Sequence, residues 1–177
     1  MRLNEKEKLN MFDFLKKKFP KLNESEDSED ITKLLKLLAP LTDTIPILSI
    51  MSSFSENQKF LIRNSPFLWG YLNNLVSLNA IKLSISRNNH AVLLTSAQEL
   101  YASMFLIDVE LARKEYEQIH KDIKKDKSAK DLFVNGANAC VEDMKQINIE
   151  VPNRLHLLDK LHAFLTIKCK EVKDNER

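Results

Sequence analysis

A chain of 177 residues with two glycines and five prolines is poor in the residues that punctuate strands, hairpins and phosphate loops. With Gly70 and Gly136 the only glycines, neither a dinucleotide-binding G-x-G-x-x-G nor a Walker A loop can be written, so no nucleotide cofactor of those classes is expected. The formal charge of +2 arises from 27 basic and 25 acidic residues interspersed along the chain, which lacks the concentrated positive charge of a nucleic-acid binder.

The length suits one domain able to bury its own core. Cys140 and Cys169 stand far apart without a CxxC spacing, which fits two free thiols in a reducing, cytoplasmic setting.

Taken in chain order, residues 1–22 form a basic amphipathic segment in which Met11, Phe12, Leu15 and Phe19 share a face beside lysines. That make-up suits contact with a protein partner or weak contact with a membrane surface. The first twenty residues contain no apolar stretch of the length a secretory signal needs. Residues 23–30, NESEDSED, read as an acidic linker, leaving 31–177 as the helical domain. Asp30 can cap a short helix over 31–39 that Pro40 stops, and a further helix is expected near 45–53. Ser55 and Gln58 have the spacing of a capping box and open a helix to about Arg63.

The segment 66–86, PFLWGYLNNLVSLNAIKLSIS, is long enough to cross a membrane, but Asn73, Asn74, Asn79 and Lys82 make that expensive. At 100° per residue, Pro66, Gly70, Asn73, Ser77, Ala80 and Ser84 form a stripe of small or short polar side chains that admits a close neighbour. Large apolar residues cover the rest of the helix. A helix apolar on most sides is the buried centre of a bundle. Ser65 and Pro66 suit its N-cap and first position.

After a polar turn at 87–90, the stretch from Ala91 to about Asp126 runs without Gly or Pro and predicts one continuous amphipathic helix. Leu93, Ala97, Leu100, Met104, Ile107 and Leu111 share its inner stripe, with Thr95, Glu99, Ser103, Glu110, Arg113 and Glu117 opposite. The two helices make a long antiparallel hairpin over 66–126. On its inner face Asp108 needs a partner, and the register places it level with Trp69.

Ser128 and Asp131 can cap a helix over 129–148 whose inner face includes Leu132, Phe133, Gly136, Cys140 and Met144. A last helix over 153–172 places Leu158, His162, Leu165, Cys169 and Val172 inward.

The fold expected is a single all-α bundle of about five to seven helices. Glu117–His120 and Asp159–His162 approximate the Glu-x-x-His of di-iron bundles, but His120 lies opposite the apolar stripe, and no metal is expected. Arg113 and His120 enclose six residues, a spacing similar to the Arg-x4–6-His signature of HEPN-type ribonucleases, with Lys114 where a small polar residue is usual. That resemblance implies a base and a phosphate anchor acting across a dimer groove.

The first functional expectation is a non-catalytic interaction protein, such as an adaptor, chaperone or regulator. It would bind a protein partner through a helical groove or the N-terminal segment. The alternative is a small-molecule or lipid-binding bundle with an apolar pocket lined by Trp69, Tyr71, Tyr101, Phe105 and Asp108. Homo-oligomerisation stays open.

Overall fold

The computed structural model describes residues 26–42, 51–86, 88–147 and 158–174. The candidate partner residues Met11, Phe12, Leu15 and Phe19 lie outside them, as do the N-terminal segment and most of the helix expected near 45–53. Seven helices and no strand occur among the described residues: α1 (Glu26–Thr42), α2 (Glu56–Arg63), α3 (Pro66–Lys82), α4 (His90–Phe105), α5 (Val109–Lys125), α6 (Lys127–Ile147) and α7 (Asp159–Asp174). The all-α class is as the composition dictates.

Helix α3 is the centre. It packs against α6, α4, α1 and α5. Leu68, Trp69, Tyr71, Leu72, Leu75, Val76 and Ala80 are all fully buried, so its apolar sides find protein in most directions, with Ile81 left exposed near its end. No single helix among the described residues is long and apolar enough to cross a membrane, although α4 and α5 pass such a test as a pair bent by 114°.

The small stripe of α3 does admit a close neighbour, and that neighbour is α6. A Cβ built on Gly70 would lie 1.9 Å from the Phe133 carbonyl oxygen, and one built on Gly136 would lie 1.9 Å from that of Phe67. Each helix places a glycine under the other's backbone. The contact is locked by the Asn74 amide, which donates to the Ala137 carbonyl at 2.8 Å.

One predicted helix start forms as expected, and two others depart from expectation. The capping box of α2 closes in both directions between Ser55 and Gln58. Ser65 adopts extended N-cap geometry ahead of Pro66, but its hydroxyl makes no capping bond. At α6 the cap is Asp126 rather than Ser128: its carboxylate accepts from the Ser128 N–H at 2.8 Å, while its own N–H closes α5 on Asp122. α1 begins at Glu26 and therefore takes in much of the stretch read as an acidic linker. Glu29 and Asp30 there reach Lys33 at 2.9 and 3.7 Å. It also runs to Thr42, past Pro40.

The continuous helix over 91–126 does not form. α4 ends at Phe105 and α5 starts at Val109, so the long hairpin is replaced by a hinged pair. The break is a Schellman motif without glycine. Leu106 sits in the left-handed region at φ 50°, the Ile107 N–H donates to Ala102 O at 3.0 Å, and the Leu106 N–H donates to Ser103 O at 3.4 Å. Asp108 then caps α5 through the Glu110 N–H at 2.7 Å. The same device ends α3, with Ser84 at φ 59° and the Ile85 N–H donating to Ala80 O.

The break carries a second consequence. Helix α4 is surrounded by α1, α3 and α5, so it has no broad solvent face. Thr95 and Glu99, expected outside, are buried with Ser96 and Gln98.

Candidate functional site

The Trp69 indole anchors an aromatic cluster. It stacks on Tyr101 at a centroid distance of 4.3 Å and meets Tyr116 edge-on at 5.0 Å, while Phe105 tilts against Tyr101 at 4.9 Å. His120, exposed, stacks on the outer side of Tyr116 at 5.8 Å. Offset and edge contacts of this kind suit the ring quadrupole and stabilise beyond area burial.

Beside the cluster lies an ion pair closed from water. Glu115 accepts from Arg63 Nη2 at 3.1 Å and Nε at 3.3 Å, and from the Tyr101 hydroxyl at 2.5 Å. Both side chains are almost fully buried. Burial, then the adjacent Glu115 carboxylate, push the Tyr101 phenol well above its ordinary range, so it stays protonated and donates to Glu115.

On the other side of α3, two residues and 200° along, Tyr71 donates to Asp143 at 2.7 Å. Asp143, itself buried, also accepts from the backbone N–H groups of Lys160 and Leu161, so one carboxylate caps α7 and ties it to the centre. Burial and that hydrogen bond push the Tyr71 phenol upward as well.

Of the residues expected to line a pocket, Trp69, Tyr101 and Phe105 come together, whereas Tyr71 belongs to the Asp143 link. Asp108 corrects the expectation outright. It is exposed at the helix break, and the Trp69 Nε1 it was to satisfy has no partner among the described residues. The reason is the left-handed turn at Leu106, which swings α5 away from the line of α4.

Two clefts open beside this core. One, of about 250 Å3, lies between α2 and the α4–α5 elbow and is lined by Met51, Ser52, Glu56, Lys59, Arg63, Phe105, Leu106 and Ile107. The other, of about 260 Å3, lies between the first half of α4 and the middle of α5 and is lined by Ala91, Leu94, Thr95, Gln98, Arg113, Tyr116 and Glu117. Neither is lined by Trp69, Tyr71 or Tyr101.

Arg113 and His120 share one side of α5 two turns apart, but Arg113 donates to Glu110 at 2.6 Å and His120 is engaged with Tyr116. Among the described residues no three of His, Cys, Asp and Glu gather at metal-binding distance. Both cysteines are free and buried, and burial pushes the Cys140 thiol up to about 12, which holds it as an unreactive core group.

Gln98, Arg63, Glu115 and Asp143 were not singled out from the sequence. Glu115 lies 52 positions from Arg63, and Asp143 lies 72 from Tyr71, separations at which no local pattern signals a contact. Comparison with known proteins gives no relative: no family model, no curated protein and no solved structure matches the chain.

Proposed function

We propose that this is a non-catalytic helical interaction protein that recognises a protein partner at the elbow between α4 and α5. The observation that carries the reading is Leu106. A left-handed conformation costs an ordinary residue roughly 1–2 kcal/mol, and glycine or asparagine would close the same Schellman motif at less strain. Leucine stands there instead and is 75% exposed, so packing inside the chain gives no reason for it. Its side chain lies at the lip of the cleft against α2, beside Phe105, Ile107 and Met51. A bulky exposed apolar group beside a cleft that mixes Met51, Phe105 and Ile107 with Glu56, Lys59 and Arg63 suits a docking knob ringed by polar contacts.

Three buried groups, Glu115, Asp143 and Cys140, support the non-catalytic part of the reading. Glu115 and Asp143 are saturated with hydrogen bonds that hold helices together, and the Cys140 thiol is protonated at neutral pH. Two free cysteines accord with a reducing, cytoplasmic setting.

The test is Leu106→Asn. Because asparagine tolerates the left-handed region, stability should rise by roughly 0.5–1 kcal/mol in urea unfolding. In cross-linking and capture from the native source, the partner held by the wild-type chain should be lost. Unchanged capture would refute the elbow as the docking site. A fall in stability would instead make Leu106 an internal packing residue.

A further inference from the structure

Independently of the elbow, we infer that the cleft between α4 and α5 binds a free amino acid through its α-ammonium and α-carboxylate groups. The argument starts from hydrogen-bonding capacity left unused. Gln98 lines this cleft, is only 4% exposed, and its amide has no partner among the described residues. Thr95, 7% exposed, lines it too, and its hydroxyl is equally without a partner there. Arg113 spends one Nη2 bond on Glu110, yet its Nε is buried with no acceptor. The Gln98 amide and the Thr95 hydroxyl stay open to the cleft, where a ligand can reach them, while a closed-off donor such as Arg113 Nε is ordinarily satisfied.

Arg113 and Glu117 add a second, independent feature. Four residues apart on α5, they are opposite charges at the spacing where helix side chains meet, but no ion pair joins them among the described residues. The cleft therefore presents a planar cationic fork and a carboxylate side by side, with an amide and a hydroxyl between aliphatic and aromatic walls. A carboxylate on the ligand accepts from Arg113, an ammonium donates to Glu117, and the Gln98 amide reads either group. Leu94 and the Tyr116 ring receive an apolar side chain. A ligand carrying both charges engages Arg113 and Glu117 at once, whereas a simple acid or a simple amine engages only one of them. A volume of about 260 Å3 lies just below the usual range for drug-sized ligands and suits one amino acid.

The chain carries its own reporter. Trp69 is the only tryptophan, and its ring meets Tyr116, which lines the cleft, at 5.0 Å. The full chain is titrated with each common L-amino acid at millimolar concentration, followed by Trp69 fluorescence and by saturation-transfer NMR of the ligand. L-Leucine is run beside 4-methylpentanoate, which lacks the ammonium, and 3-methylbutylamine, which lacks the carboxylate. One or more amino acids should bind, and removing either charge should weaken binding about tenfold or more, the weight of one charge-assisted hydrogen bond. Arg113→Gln and Glu117→Gln should each do the same. Both residues face solvent in part, so the variants should keep the wild-type circular dichroism and melting curve. No binding by any amino acid to the folded chain overturns the inference. So does binding of the two singly charged analogues as tight as that of L-leucine, or unchanged affinity in both variants.

Discussion

Gly70→Ala sets two effects of opposite sign against each other. Alanine in a helix interior is favoured over glycine by roughly 1 kcal/mol, so helix propensity alone predicts a more stable protein. The crossing predicts the reverse. The new Cβ would lie 1.9 Å from the Phe133 carbonyl oxygen, and the offending atoms are backbone, which no rotamer change can move. Restoring an ordinary contact of about 3.4 Å requires α3 and α6 to separate by about 1.5 Å. A gap of half to one ångström already forfeits a quarter to a half of each dispersion contact along the interface. The Asn74–Ala137 bond at 2.8 Å and the Tyr71–Asp143 bond at 2.7 Å would stretch beyond hydrogen-bonding length. Overpacking costs typically 1–3 kcal/mol, and the two strained bonds add about 1 kcal/mol each, so a net loss of roughly 2–4 kcal/mol remains after the propensity gain. Urea unfolding followed by Trp69 fluorescence and far-ultraviolet circular dichroism measures it. Gly136→Ala should cost a similar amount. Because one separation relieves both clashes, the double variant should fall well short of the sum. A Gly70→Ala protein as stable as wild type would refute the close crossing.

Further outcomes follow from the buried polar groups. Replacing Glu115 by Ala strands the Arg63 guanidinium and the Tyr101 hydroxyl away from water, and should destabilise by about 3–5 kcal/mol in the same assay. Tyr71→Phe removes one bond to Asp143 but leaves its two backbone donors, so about 1–1.5 kcal/mol should be lost, while Asp143→Ala loses the cap as well and should cost more. Burial, then the Asp108 charge, push the Glu99 carboxyl from 4.5 up to about 7. Its folded form thus binds the proton more tightly, and stability should fall as pH rises through that window, by about 3 kcal/mol in all, then level off above it. Glu99→Gln should flatten this slope in denaturation midpoints taken across the window, and an unaltered slope would show that Glu99 is not its source. Cys140 should resist thiol reagents until the chain unfolds, as stopped-flow labelling in urea would show.

Much of the fold was legible because it rests on local rules. The apolar girdle of α3, the Ser55–Gln58 box and Pro66 at a helix start each depend on a few neighbouring residues, and each forms. The small stripe announced a close neighbour without saying which. The break at Leu106 was not legible, since nothing local distinguishes MFLID from the interior of a helix. A left-handed leucine is stabilised only by what the turn allows on both sides: α5 folded back beside α4, Asp108 capping it, and Ile107 partly buried. The candidate clefts were equally illegible, because both depend on the angle between α4 and α5.

By itself, then, the order of residues determined that this chain is helical, where α2, α3 and α4 begin, and that α3 is central. Those properties follow from periodicity and short-range bonding, which any window of a few turns contains. Tertiary structure alone decided that α6 is the partner of Gly70, that Glu115 and Asp143 are structural anchors, and that Gln98 meets Arg113 across a cleft. Each of these joins residues brought together by the path of the chain, and that path is set by the sum of all the packing contacts at once.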